Sequence, residues 1–305
     1  MDEKFADPFG MKQIQAKPDV WAAEMQTADL KLSFRIKEVL HYAESKYQKI
    51  LVVDTFQYGR MLLLDNTVMM TERDEFFYHE YLTHVPMCLH KRPQNVLVIG
   101  GGDGGIINQL IKYEETESIT LVEIDEEVVK AAKMFFPEMS RAFENPRVKV
   151  IFEDGIKYID GKKEVYDVVI IDSTDPLGPA EGLFTPEFYG NVRAALKEDG
   201  LLAVQAESPV LTPELVREIL KNIAIPFGAE NIWYYIGFMP TYPTGMWGFA
   251  LASKGPRKPE LMVDRAKKIA AKSKCYNANV HKAALSLPNF VLELLPDGAP
   301  QKTES

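Results

Sequence analysis

Between Lys91 and Gln205 the chain alternates short apolar runs with segments whose apolar residues recur at helical spacing. The runs are Asn95–Ile99, Ile119–Val122, Val148–Phe152, Tyr166–Ile171 and Leu201–Gln205. Their length and β-branched content predict buried strands. The segments between them predict helices over Gly105–Tyr113, Glu126–Phe136 and Pro186–Leu196, with another over Pro213–Asn222. Strands that alternate with helices build a parallel, doubly wound α/β sheet. A hairpin of Ile232–Gly237 and Trp247–Ala252 is expected to close it. Residues 255–295 hold a basic helical stretch and an apolar final helix, and the polar end from Asp297 to Ser305 is expected to fray.

Upstream of Lys91-Arg92-Pro93 the rhythm differs. Lys31–Leu40 alternates imperfectly, Lys49–Asp54 is β-branched, and Arg60–Leu64 and Thr67–Thr71 are short runs punctuated by Tyr58-Gly59 and Asp65-Asn66. Short strands parted by turn residues predict an antiparallel meander. Thr71-Glu72-Arg73-Asp74 has capping-box spacing and is expected to open a helix reaching Leu89. Residues 1–28 are mixed, with Trp21 as their apolar anchor. The expected division is an N-terminal β-strand domain over 1–73 and a doubly wound α/β domain over 74–305 that ends in a helical segment.

With 44 acidic and 35 basic residues the 305-residue chain carries a formal charge of −9. That balance disfavours nucleic acid and anionic membrane as partners, since both attract a basic face. Only Cys88 and Cys275 are present, Met1–Gly10 shows no signal pattern, and no apolar run approaches a membrane span. The expected location is the cytoplasm.

Charge matters more by position than in total. Asp103, Glu123, Asp154, Asp172 and Asp175 each follow a predicted strand. The carboxyl ends of parallel strands line the ligand crevice of such a sheet. One cleft should therefore gather these carboxylates, which suits a cation and disfavours phosphate. Gly100–Gly105 lies between a strand and a helix, where glycines let a ligand approach the backbone. Glu123 follows Asp103 by the spacing expected of a ribose-binding acid. A pyrophosphate at the helix N-terminus would be repelled by Asp103, so a cationic nucleoside without phosphates fits better, such as the sulfonium S-adenosylmethionine or its decarboxylated form. Asp125 is read as the cap of the next helix. Asp154-Gly155 suits an adenine amine, although an ordinary turn has the same residues.

Asp172 and Asp175 can hold a cation or move a proton, and Leu177–Gly182 after them reads as a lid loop. His79 and His84 are five apart, one too many for a shared metal on a helix, so no metal site is expected. Tyr78 and His79 are assigned instead to the polar wall of the crevice. Tyr242, held between Pro240 and Pro243, can wall an aliphatic diamine or simply plug a hydrophobic gap.

At these residues the chain resembles the polyamine aminopropyltransferases. The resembling stretches are Tyr47-Gln48, Thr71–Phe76 with Tyr78-His79-Glu80, Gly100–Gly105, Val122–Asp125, Asp154-Gly155, Asp172–Pro179, Pro240–Tyr242 and the tail from Tyr276 to Pro288. The segment Ala22-Ala23-Glu24 departs from the pattern and leaves the role of Trp21 open. The resemblance implies a methyltransferase-type Rossmann-like sheet, a small N-terminal β domain and a homodimer or homotetramer. It implies aminopropyl transfer from decarboxylated S-adenosylmethionine to putrescine or another polyamine, with no tightly bound cofactor. By matching position, Gln48, Glu123, Asp154, Gly155 and Pro179 would bind the nucleoside, and Asp103 and Asp172 the donor's amine. His79, Tyr78, Asp175 and Tyr242 would line the polyamine channel, with Asp172 as proton acceptor and Tyr78 and Tyr242 orienting the amine. A methyltransferase using the intact donor and a non-catalytic nucleoside-binding protein are the competing readings. A nicotinamide dinucleotide enzyme is disfavoured by Asp103.

Overall fold

A computed structural model describes residues 19–175, 178–255 and 260–303. The start of the chain, Leu177 of the expected lid loop and the last two residues lie outside that range. Five antiparallel strands form the first sheet in chain order: β1 (Trp21–Met25), β2 (Lys31–Glu44), β3 (Lys49–Thr55), β4 (Gly59–Leu64) and β5 (Thr67–Thr71). Asp65 and Asn66 take φ of 47° and 68° between β4 and β5, the left-handed pair that a tight two-residue hairpin requires.

The second sheet contains β6 (Asn95–Gly100), β7 (Ser118–Glu123), β8 (Val148–Phe152), β9 (Tyr166–Asp172), β10 (Leu196–Gln205), β11 (Ile232–Phe238) and β12 (Met246–Ser253). Their spatial order is β11-β12-β10-β9-β6-β7-β8, with β10 through β8 parallel and the β11–β12 hairpin antiparallel. The chain winds outward from β6 to β8, then returns to β9 on the other side of β6. That reversal opens a crevice at the ends of β6 and β9, where Gly100 and Asp172 stand in register.

The helices are α1 (Glu75–Leu89), α2 (Gly105–Leu110), α3 (Glu126–Phe135), α4 (Pro137–Ser140), α5 (Gly155–Ile159), α6 (Pro186–Ala195) and α7 (Pro213–Phe227), followed by shorter segments. Period-two alternation divides the core. Val96 and Val98 of β6 join Leu82, Val85 and Ile106 on one face. Leu97 and Ile99 join Phe188, Val192 and Ile219 on the other. Each such buried side chain stabilises the fold by roughly 1.5–3 kcal/mol. Ile50, Val52, Leu62 and Leu64 of the first sheet pack on Val128, Ala131, Phe136 and Met139, which fixes that sheet over the crevice.

Several local expectations change. The helix opens at Glu75 without a capping box: the Thr71 hydroxyl donates to Asp74, whose other oxygen accepts from Thr241 N–H at 3.0 Å and its hydroxyl at 2.6 Å. Asp74 is thus committed to anchoring the β11–β12 loop. Helix α2 stops at Leu110 rather than Tyr113, because Arg147 draws off the carbonyls of Ile111, Tyr113 and Thr116 at 2.6–2.7 Å. Helix α7 runs on to Phe227, and β10 begins at Leu196 with a register shift before Leu201. Trp21 is 52% exposed on edge strand β1 rather than buried in a core, and its indole N–H donates to Asp19 at 3.1 Å. The tail docks rather than frays: Gln301 exchanges 2.8 Å bonds with the backbone of Tyr234 on edge strand β11. Among the described residues no helix is long and apolar enough to cross a membrane.

Candidate active site

A cavity of about 350 Å³ lies at the ends of β6, β7, β8 and β9. The first sheet supplies its far wall through Tyr47, Gln48, Leu62 and Met69. Gln48, Tyr78, His79, Asp103, Glu123, Asp154, Gly155, Asp172, Asp175 and Tyr242 all line it. Pro179 falls in the short 3₁₀ segment Gly178–Phe184, but its side chain lies outside the described residues. Gly100 is required where it stands: it has φ of +79°, and a Cβ there would lie 2.1 Å from the Asp172 carbonyl oxygen.

At one end, Glu123 is buried with its oxygens turned to the Gly102 N–H at 3.2 Å and the Asp125 N–H at 2.9 Å. Burial outweighs these bonds and raises its carboxyl to about 7. A carboxylate has about four acceptor positions, so room remains for a diol. Asp125 caps α3 by accepting from Glu127 N–H, and its second oxygen accepts from Ser45 and Gln48. Gln48 is thereby tied to the base of the same wall. Asp154 caps α5 through Ile156 N–H, so the turn reading and a place in the cavity both hold for it.

The middle of the cavity is a chain of polar contacts. Tyr78 donates to Asp172 at 2.7 Å. His79 stands between Glu75, 2.7 Å from Nδ1, and Asp103, 3.4 Å from Nε2. Burial opposes the imidazolium, but the two carboxylates outweigh burial and hold His79 well above its ordinary pKa. Asp103 responds in the opposite sense. Burial alone would raise it, yet His79 and a 2.7 Å bond from Gly105 N–H bring it below the usual value. Asp172 has no such cation in contact; burial first, and Asp103 second, raise it to about 7. Tyr242 donates its hydroxyl to the Met69 carbonyl at 2.8 Å. Each phenol therefore commits its proton within the protein, which leaves its oxygen free only to accept.

Past Thr174 the cavity continues into a side chamber of about 40 Å³. Two acids line it, Glu24 from β1 and Asp175, and Glu207, just past β10, is hydrogen-bonded to Asp175 from behind. Burial is the first cause in each, raising Glu24 to about 7, Glu207 to about 8 and Asp175 above its usual range. Gln205 Nε2, Trp247 Nε1 and Ser173 Oγ, all of residues that line it, are buried with no hydrogen-bond partner among the described residues. Sequence reasoning missed Glu24, Glu75, Gln205 and Glu207. Glu75 was open to it, since it lies one helical turn before His79. Glu207 lies just beyond a strand whose end had been identified. Nothing in the pattern around Glu24 marks it.

His84 points away from His79, into the core, with Nδ1 2.9 Å from the Tyr113 hydroxyl. Among the described residues one cluster has metal-like composition: His90, Asp167 and Asp199 at the opposite end of β9. Its chemistry does not suit a cation. Lys197 already contacts both Asp167 oxygens, and His90 Nδ1 accepts from Arg92 N–H, which leaves the proton on Nε2.

Residues 75–262 match the family model described as the spermine/spermidine synthase domain. The chain belongs to the spermine/spermidine synthase family. Residues 20–72 match the model of the spermidine synthase tetramerisation domain, so the first sheet is the family's oligomerisation element. The chain is 45% identical to the polyamine aminopropyltransferase of Moorella thermoacetica, over 93% of this chain and 99% of that one. It is 42% identical to that of Methanocaldococcus jannaschii, over 90% and 94%. A crystal structure of spermidine synthase with the transition-state analogue AdoDATO superposes with a TM-score of 0.88 at 37% identity, covering 93% of this chain and 97% of that one. Spermidine synthase from Thermotoga maritima superposes with a TM-score of 0.86 over the same shares. The sheet is therefore the family's methyltransferase-like fold.

Proposed function

We propose that this chain transfers the aminopropyl group of decarboxylated S-adenosylmethionine to putrescine, giving spermidine and methylthioadenosine. The observation that carries it is Asp172: a carboxyl with its pKa raised to about 7, set at the switch point beside Asp103, in a chain of this family. The donor is a co-substrate that leaves as product, and the reading needs no tightly held cofactor.

The chemistry follows from charge. An alkyl amine has a pKa near 10, taking lysine as its model, so it arrives protonated and without a lone pair to attack. Asp172 takes one proton. The nitrogen then forms a bond to the carbon beside the sulfonium, and the carbon–sulfur electrons leave with methylthioadenosine. The Tyr78 and Tyr242 oxygens accept the remaining N–H groups and aim the lone pair. Glu123, Asp154, Gly155, Gln48 and Pro179 hold the nucleoside, and Asp103 and Asp172 hold the donor's ammonium. His79 and Asp175 complete the polar channel. Bringing several cations together is the difficult step, and the carboxylates offset their repulsion.

The side chamber favours an acceptor with two ammonium ends. One end sits at Asp172, and Glu24 and Asp175 receive the other. The same reading divides the chain between residues 73 and 74 and assembles it as a dimer or tetramer through the first sheet. Its partners are small amines, without nucleic acid or membrane, and its compartment is the cytoplasm.

The test is a mass-spectrometric assay with decarboxylated S-adenosylmethionine and equimolar putrescine, cadaverine, agmatine and spermidine. Methylthioadenosine with spermidine as the main new amine is the expected result. A different aminopropylated product would keep the chemistry and change the acceptor. No methylthioadenosine from any amine, in a protein that binds the donor, would overturn the proposal.

A further inference from the structure

Helix α1 brings Glu75 to the site as well as Tyr78 and His79, and the reaction described above gives Glu75 no part. Its carboxylate lies 2.7 Å from His79 Nδ1, while Nε2 on the other side of the ring faces Asp103 at 3.4 Å. A neutral imidazole has one N–H and one lone pair. Either neutral tautomer would aim that lone pair at a carboxylate. Only the imidazolium donates to both. The ring cannot swing away easily: it is 2% exposed, and a Cβ at Gly105 would lie 2.0 Å from its Cε1.

We propose that Glu75 is a positioning residue that keeps His79 doubly protonated and leaves Asp103 with charge to spare for the donor's ammonium. The inference rests on the reading of the pocket given above. Glu75, His79 and Asp103 together carry one net negative charge. Without Glu75, for as long as the ring stays protonated, the imidazolium and Asp103 cancel, and an arriving ammonium is left with Asp172. The other groups facing this row are Tyr78 from α1, Asp172 from β9 and Tyr242 from the β11–β12 loop, with Lys112 acting on Glu75 from beyond α2. Asp172 acts on the His79 ring only through space, and Glu75 and Asp103 are its two carboxylate contacts.

The test uses the full chain and follows the His79 ring nitrogens by NMR from about pH 6 to about pH 9, where an ordinary histidine loses its charge. Assignment comes from His79→Asn. The unaltered protein should stay doubly protonated throughout. In Glu75→Gln the ring should lose a proton within that range. At about pH 6, while that ring is still charged, the KM for decarboxylated S-adenosylmethionine should rise roughly tenfold, with a smaller change in kcat, on the scale of one lost charge–charge attraction in a partly screened site, and it should return toward the parent value once the ring is neutral. Glu75→Asp should restore the doubly protonated ring. A His79 that stays doubly protonated in Glu75→Gln, an unaltered donor KM, or a singly protonated ring in the parent protein would each overturn the proposal. Should Glu75→Gln fail to fold, the parent spectrum and Glu75→Asp decide it. The NMR result does not depend on turnover, so absence of aminopropyl transfer would sink the functional reading and leave this measurement readable.

Discussion

The Tyr78 hydroxyl donates to Asp172 Oδ1 at 2.7 Å, and this bond decides how the centre of the site can act. It commits the phenol's only proton to the carboxylate. Tyr242 commits its own to Met69. Two phenol oxygens and a carboxylate therefore converge as acceptors, which is what an ammonium needs before it gives up a proton.

Replacing Asp172 with Asn removes the proton acceptor and keeps the shape. Turnover should fall roughly 10²–10⁴-fold, the usual scale for losing a general base. Donor affinity should change far less, because Asp103 remains. Single-turnover release of methylthioadenosine measures the first effect, and equilibrium binding the second. Undiminished turnover in a folded variant would remove Asp172 from the base role.

Tyr78→Phe tests the same bond from its other end. Burial raises the Asp172 pKa most, Asp103 raises it further, and the Tyr78 hydrogen bond opposes both by favouring the anion. Without that bond the carboxyl should titrate higher still. The acidic limb of kcat/KM should then move to higher pH, so that activity near neutrality falls roughly tenfold, a hydrogen bond's worth, and partly recovers in alkali. A limb that stays in place or moves to lower pH contradicts this account.

The parts legible in the sequence share one physical origin. In a parallel sheet, strand ends are themselves the site, so Asp103, Glu123, Asp154 and Asp172 could be placed once the strands were recognised. Asp125 could be assigned as a cap because capping is local. The residues that escaped depend on packing between distant segments. Glu24 reaches the side chamber only because the first sheet folds over the second. Thr71 fits a capping box in sequence, yet Asp74 is drawn to Thr241 across the fold. Gln301 looks like solvent-facing tail until edge strand β11 offers it a backbone amide and carbonyl.

Asp103 should also set the choice of donor. It is held as an anion by His79 and by the Gly105 N–H. An anion there attracts the terminal ammonium of the decarboxylated donor and repels the carboxylate of the intact one. Asp103→Asn should therefore narrow the affinity ratio between the two donors, mainly by weakening the decarboxylated one. Calorimetric titration with each donor gives that ratio. A ratio that does not move would locate the discrimination elsewhere.

The crowded acids predict an unusual dependence of stability on pH. Glu24, Glu123 and Asp172 have folded pKa values of about 7 and Glu207 about 8, all raised first by burial. Above about pH 4 the unfolded chain ionises these groups, whereas the folded one keeps their protons until about pH 7–8. The folded state thus binds more protons in that window, and stability from these groups falls as pH rises through it. His79 acts in the same sense: its raised folded pKa gives stability that is full below about 6.5 and is lost as pH climbs toward the folded value. Asp103 is shifted down, so its contribution is lost only in stronger acid. The empty protein should accordingly melt at lower temperature near pH 8 than near about pH 5.5. Glu207→Gln should flatten that slope, since an amide makes no charge. Spermidine should raise the melting temperature more at the higher pH, where the acids it meets are ionised. Calorimetric melts of both proteins across the range, with and without spermidine, check all three. A parent protein that is most stable at the alkaline end, or a Glu207→Gln slope no flatter than its own, would mean that these carboxyls are not held protonated in the empty site.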